Sequence, residues 1–176
     1  MTEFAWLDPA EQRIFRAYAK AARALFVQFD RQLQAEVGLP RTYFEILWLL
    51  DAAPGGEMRM SDLAAATGSQ ASRITYAVSR LEAAGQVRRE LCPEDRRGWY
   101  TVITDAGREM LSRAAPHYAA MVRRYFLEPL SPRQREQVVE VGEVILGQLA
   151  LSTPGAATAG AGAPGPFTPM PEAAPV

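Results

Sequence analysis

Residues 61–107, SDLAAATGSQASRITYAVSRLEAAGQVRRELCPEDRRGWYTVITDAG, leave the chain few ways to fold. Ser61 is placed to cap a short helix ending near Thr67, Gly68 supplies a tight turn, and Ser69 is placed to cap a second helix. Ala71, Ile74, Val78 and Leu81 recur at helical spacing and form its predicted buried stripe, which Gly85 ends. Residues 86–92 and 98–103 alternate roughly as two strands, joined by the polar, turn-rich segment Pro93–Gly98. Helix, turn, helix and hairpin in that order predict a winged helix-turn-helix, a module whose second helix fits the major groove of DNA.

The flanks are helical. Asp8-Pro9-Ala10-Glu11 is a capping box with proline at the first helical position. Ile14, Tyr18, Ala22, Leu25, Phe29, Leu33 and Val37 then keep helical spacing as far as Gly38, while Phe15 and Phe26 widen the apolar face. A second helix is expected from about Thr42 to Ala52, stopped by Pro54-Gly55-Gly56, and a short strand at Arg59-Met60 that pairs with the later hairpin. Thr104 caps a long helix to about Leu127, and Pro116 is expected to kink or split it. Ser131-Pro132-Arg133-Gln134 starts a last helix with Val138, Val141, Ile145 and Leu149 on its predicted buried side. Residues 152–176 hold 6 Pro, 4 Gly and 7 Ala with one charge, and so are expected to be disordered.

The expected fold is therefore mostly α with a small β-wing. Residues 1–40 form an N-terminal dimerisation helix, 41–104 the winged module, 105–151 C-terminal dimerisation helices, and 152–176 a tail. The end helices are too long and too apolar for a small winged core to cover. An intertwined homodimer would cover them, and its two-fold axis would present two reading helices to a pseudo-palindromic operator.

No apolar run reaches the ~18 residues of a membrane span. The N-terminus MTEFAWLDPAEQ has neither the basic nor the apolar region of a signal peptide, so a cytoplasmic protein is expected. The formal net charge is −1, but residues 59–113 carry 9 basic and 7 acidic groups, which puts a small positive excess on the winged module. Ser69, Gln70, Ser72, Arg73, Thr75 and Tyr76 occupy the start and outward face of the second helix, where short polar groups and an Arg suit base edges and phosphates. Arg80 lies one turn further, within reach of a phosphate or a base. At the hairpin tip, Arg96 and Arg97 suit a narrow A·T-rich minor groove, with Asp95 orienting one of them.

MSDLAAATG, SRITYAVSRLEAAGQVRR and PEDRRGWYTVITDAGREML resemble the MarR family of bacterial transcription regulators over roughly residues 8–150. The most specific signatures are Arg80-Leu81-Glu82 with Gly85, Asp95-Arg96-Arg97, and Ile103-Thr104-Asp105-Ala106-Gly107. The resemblance implies a triangular homodimer that binds double-stranded DNA and is relieved by a small ligand, often a phenolic or other aromatic acid. Family members often carry Arg where this chain has Tyr76. Tyrosine can contact a thymine methyl or a phosphate but cannot make the bidentate guanine contact of Arg.

In such proteins the ligand cleft lies between the dimer helices and the winged domain. Trp6, Phe15, Tyr18, Trp48, His117, Tyr118 and Met121 are the candidates to line it, each with ordinary core packing as the alternative. His117, the only histidine, follows Pro116 and is either a ligand contact, a pH-sensitive group or a half-exposed structural residue. One His and one Cys make no metal-ligand cluster, and no cofactor is expected. Cys92 leaves redox sensing as an alternative, and a winged-helix module used for protein contacts is another. The chain shows no Ser/His/Asp set, phosphate-binding glycine loop or dinucleotide fingerprint, so no enzymatic activity is expected.

Overall fold

The computed structural model describes residues 6–91 and 98–152, with side chains as far as Leu149. Helix α1 (Pro9–Val37) starts at the expected capping box: Asp8 accepts from the amides of Ala10 and Glu11, and Glu11 accepts from the Asp8 amide at 2.8 Å. Helix α2 (Arg41–Ala52) follows, then a 3₁₀ turn at Pro54–Gly56, strand β1 (Glu57–Arg59), α3 (Met60–Ala66) and α4 (Ala71–Ala83). Strands β2 (Val87–Leu91) and β3 (Trp99–Ile103) lead into α5 (Asp105–Val122), a π-helical turn at Arg123–Leu127, and α6 (Pro132–Ser152). The sheet is antiparallel in the order β1-β3-β2, with Arg59 opposite Tyr100 and Val87 opposite Ile103. Among the described residues no helix is long and apolar enough to cross a membrane.

The core lies where α2 packs on the C-terminal half of α1, on α4, on the sheet and on α5. Phe44, Leu47 and Leu50 of α2 are sealed inside it with Leu33, Leu63, Val78, Leu81, Val87 and Met121. An aromatic nest joins three helices: Tyr118 stacks on Phe44 at 4.5 Å and meets Phe29 and Trp48 edge-on.

Two residues explain the Ile-Thr-x-x-Gly run. The Thr104 hydroxyl accepts from the Gly107 amide at 3.1 Å, capping α5, and donates to the Gly85 carbonyl at 2.7 Å. A β-carbon on Gly107 would collide with the Gln86 carbonyl oxygen, so only glycine lets α5 approach the turn that leads into β2. The winged module is thereby riveted to α5.

Several expectations need correction. Ser61 does not cap α3: β1 runs directly into the helix, Arg59 is the cap position, and no side chain bonds there. The expected strand at Arg59-Met60 is Glu57–Arg59, with Met60 opening α3. Ser69 does not cap α4; Gln70 holds that position without a side-chain bond. Ala71 is exposed, and Ala77 takes its place in the buried stripe. Pro116 does not split α5, which runs on to Val122 before the π turn. Val138, Val141, Ile145 and Leu149 are not buried within the chain but exposed, Leu149 at 57%. The expected disorder of the tail lies almost wholly outside the described residues.

Candidate nucleic-acid interface

Helix α4 is anchored by one face and open on the other. Ile74, Ala77, Val78 and Leu81 are buried against the core. Gly68, at φ +60°, makes the turn that aims the helix, and the Ser69 amide closes it by bonding the Ala64 carbonyl at 3.0 Å. The chain is then extended at Gln70, so α4 starts at Ala71. No side chain caps it; the Arg73 amide turns back to the Gln70 carbonyl at 3.0 Å, which leaves the Ala71 and Ser72 N–H groups open to an outside acceptor.

The structure brings the helix residues named above onto one surface. Gln70, Ser72, Arg73, Thr75, Tyr76 and Arg80 are exposed, and Ser69 is half-buried. Thr75 and Ser79 donate their hydroxyl protons to the Ala71 and Thr75 carbonyls, both at 2.9 Å, so outward they present acceptors only. Arg73 and Arg80 have no ion-pair or hydrogen-bond partner among the described residues. The arginines of β2 differ. Arg88 is paired with Glu90 at 2.6 Å, and Arg89 is held by Glu82 at 3.3 Å and by the Ser79 hydroxyl. Among the described arginines of the winged module, the two without a partner therefore both sit on α4. Its first turn holds the free Arg73 fork, the geometry that reads guanine.

The hairpin is fixed from β1 inwards. Arg59 donates to the Tyr100 hydroxyl at 3.3 Å and lies over its ring. Leu91 opposite Trp99 is the last described pair, and both are exposed. Asp95, Arg96, Arg97 and Cys92 lie outside the described residues.

The aromatic candidates for a ligand cleft are not gathered into one site within the chain. Trp48 and Tyr118 belong to the core nest, where burial pushes the Tyr118 phenol above its usual pKa. Trp6, Phe15 and Tyr18 are 59–69% exposed at the far end of α1. His117 and Met121 do meet, in a groove of about 350 Å³ that Gln32, Glu36, Pro116, Ala120 and Arg124 complete. His117 Nδ1 lies 2.5 Å from Glu36. The hydrogen bond from Gln32, then that to His117, holds the Glu36 carboxyl below the usual carboxylate value. The indole nitrogen of Trp48 and the Gln32 carbonyl oxygen are buried with no hydrogen-bond partner. Sequence reasoning missed Gln32, Glu36 and Arg124. Their only signal was spacing, one turn apart on α1 and i, i+7 from His117 on α5.

A core-anchored second helix, the glycine turn before it and an antiparallel wing behind it define a winged helix-turn-helix protein. Comparison with known proteins gives the family. The model of the MarR family matches residues 37–98. Sco3205, a MarR family transcriptional regulator from Streptomyces coelicolor solved in complex with DNA, is 38% identical; the match covers 85% of this chain and 93% of that one, with a TM-score of 0.78. AbsC, another MarR family regulator from Streptomyces coelicolor, is also 38% identical over 83% of this chain and 98% of that one, at a TM-score of 0.75. YkoM of Bacillus subtilis, an uncharacterised helix-turn-helix regulator, is 29% identical over 72% of this chain and 79% of its own length. The chain belongs to the MarR family of transcriptional regulators.

Proposed function

We propose that the protein is a homodimeric repressor that binds a pseudo-palindromic operator through α4 and the wing, and that a small aromatic acid changes its affinity for DNA. The observation that carries the reading is the outward face of α4, where Arg73 and Arg80 stand unpaired on a helix fixed from behind. On a polar helix flanked by a wing, phosphates and base edges are the partners that such unpaired guanidinium groups suit. Similarity to Sco3205, solved with DNA, supports it. The E. coli transcriptional repressor MprA, 25% identical over 120 residues, supports repression.

The dimer is supported by apolar surface the chain leaves open. On α6, Val138, Val141, Val144, Ile145, Leu146 and Leu149 are all exposed, Val144 at 70%; on α1, Ile14 and Phe15 are 69% and 65% exposed. At 100° per residue the α6 set spans more than half the helix circumference, which suits a helix enclosed by several neighbours. A second copy offers the same helices in return, around residues 8–38 and 105–151.

The effector is supported by the His117 groove and by the unsatisfied Trp48 and Gln32 atoms beside the aromatic nest. CouR from Rhodococcus jostii RHA1, 25% identical, is bound to p-coumaroyl-CoA. The test is binding of the full chain to duplexes selected from a random library, measured against salt. A regulator gives a selected sequence and a steep loss of affinity with salt; a protein-contact module gives neither.

A further inference from the structure

We propose that Tyr76 fixes a thymine in each half-site of the operator, through the C5-methyl group of that base, within two base steps of a guanine read by Arg73. The proposal rests on the DNA-binding reading above and names what that surface selects.

The position of Tyr76 on α4 is the first reason. The buried stripe is Ile74, Ala77, Val78 and Leu81. At 100° per residue, Tyr76 lies about 150° from the centre of that stripe, and it is the bulkiest apolar side chain on the outward face. It is 65% exposed, and no described residue bonds it or stacks on it. When the face of α4 enters a groove, Tyr76 is therefore the side chain that leads.

The chemistry of its neighbours is the second reason. Gln70, Ser72, Arg73, Thr75, Ser79 and Arg80 surround it, and all are polar. Thr75 and Ser79 have spent their protons on the helix backbone. The Tyr76 ring is thus the one large apolar surface on the face. In the major groove the one bulky apolar group is the methyl of thymine; cytosine offers only a C5–H at that position, and the other features are donors or acceptors. An apolar surface pressed against a donor or acceptor leaves that group unsatisfied, so the ring discriminates in favour of thymine.

Spacing sets the register. Arg73 and Tyr76 lie three residues apart, a rise of ~4.5 Å along the helix. Base pairs are stacked every ~3.4 Å. The guanine bound by the unpaired Arg73 fork and the thymine under Tyr76 thus fall within two steps of each other.

The experiment uses duplexes selected from a random library by the full-length protein. Each thymine is replaced in turn, in both half-sites, by deoxyuridine, which lacks only the methyl group. Affinities are measured by fluorescence anisotropy for wild type, Tyr76→Phe and Tyr76→Ala, at low salt so that phosphate contacts keep the alanine variant bound. The expected result is one thymine per half-site at which wild type and Tyr76→Phe both lose about fourfold per methyl removed. Tyr76→Ala should bind the thymine and deoxyuridine duplexes equally. Wild type that is insensitive to the replacement at every thymine overturns the proposal while leaving DNA binding intact. So does Tyr76→Ala that keeps the full loss. Failure to select any duplex overturns the DNA-binding reading itself, and the proposal with it.

Discussion

Thr104 and Gly107 do at residue scale what the winged module needs as a whole: they fix its angle to α5. Thr104→Ala removes both the cap on α5 and the bond to the Gly85 carbonyl and should cost about 1–2 kcal/mol. Gly107→Ala drives a methyl into the Gln86 carbonyl oxygen and should cost about 1–3 kcal/mol or more. Urea denaturation at matched protein concentration checks both; an unchanged midpoint for Gly107→Ala would refute the close approach. Glu36 makes a pH prediction. Its folded carboxyl is held below 4.5, first by Gln32 and then by His117, so its stabilising contribution is complete above the unfolded pKa and lost as pH falls through the folded one. Burial pushes the Glu45 carboxyl the other way, against the pull of Arg41, so its cost is relieved over the acidic range. Glu45 is common to wild type and Glu36→Gln, so their difference isolates Glu36. Melting temperatures compared from about pH 6 to pH 3 should converge as the pH falls. A constant gap would show that the Glu36 charge contributes nothing.

At the scale of elements, local signals were legible and non-local ones were not. Asp8 and Glu11 announce the start of α1 because a capping box needs only residues three apart. Gly68 likewise marks its turn. The caps assigned to Ser69 and Ser61 failed for different reasons: the C-terminal turn of α3 takes the Ser69 amide, which bonds the Ala64 carbonyl five residues back, and β1 pairing holds the chain extended through Arg59. On α4, Ser72, Arg73, Thr75, Tyr76 and Arg80 lie on the exposed face as expected, and Ser79 joins them, since a 3.6-residue period separates inside from outside whatever the partner. The ligand cleft was not, because aromatic residues on one helix need not share a site. Tyr18 precedes Phe29 by eleven residues, a rise of ~16 Å, so it cannot join the nest around Tyr118. The apolar period of α6 was legible, but the stripe expected to be buried is exposed, and no described residue of the chain covers it. That stripe carries a prediction: Leu146→Asp should turn the dimer into a monomer while the far-ultraviolet spectrum stays close to that of wild type. Sedimentation velocity reads the mass, and an undisturbed dimer would move the interface elsewhere.

At the scale of the whole molecule, the proposed function has the winged module supply contact and the end helices supply symmetry. The positive excess on one module is small, so a single copy should hold DNA weakly and two copies far better. Losing Arg73 and Arg80 together from a two-fold dimer removes four cations. The slope of log affinity against log salt should become shallower by about 2–4 if they serve phosphates and bases in that arrangement. The most direct measurement is the mass of the complex formed on a selected duplex, by sedimentation equilibrium, for wild type and for Arg73→Ala/Arg80→Ala. Two protomers per duplex for wild type, with no complex for the double variant at the same salt, is the predicted result. One protomer per duplex, or an unaltered complex with the double variant, would contradict a dimer that reads DNA through paired α4 helices.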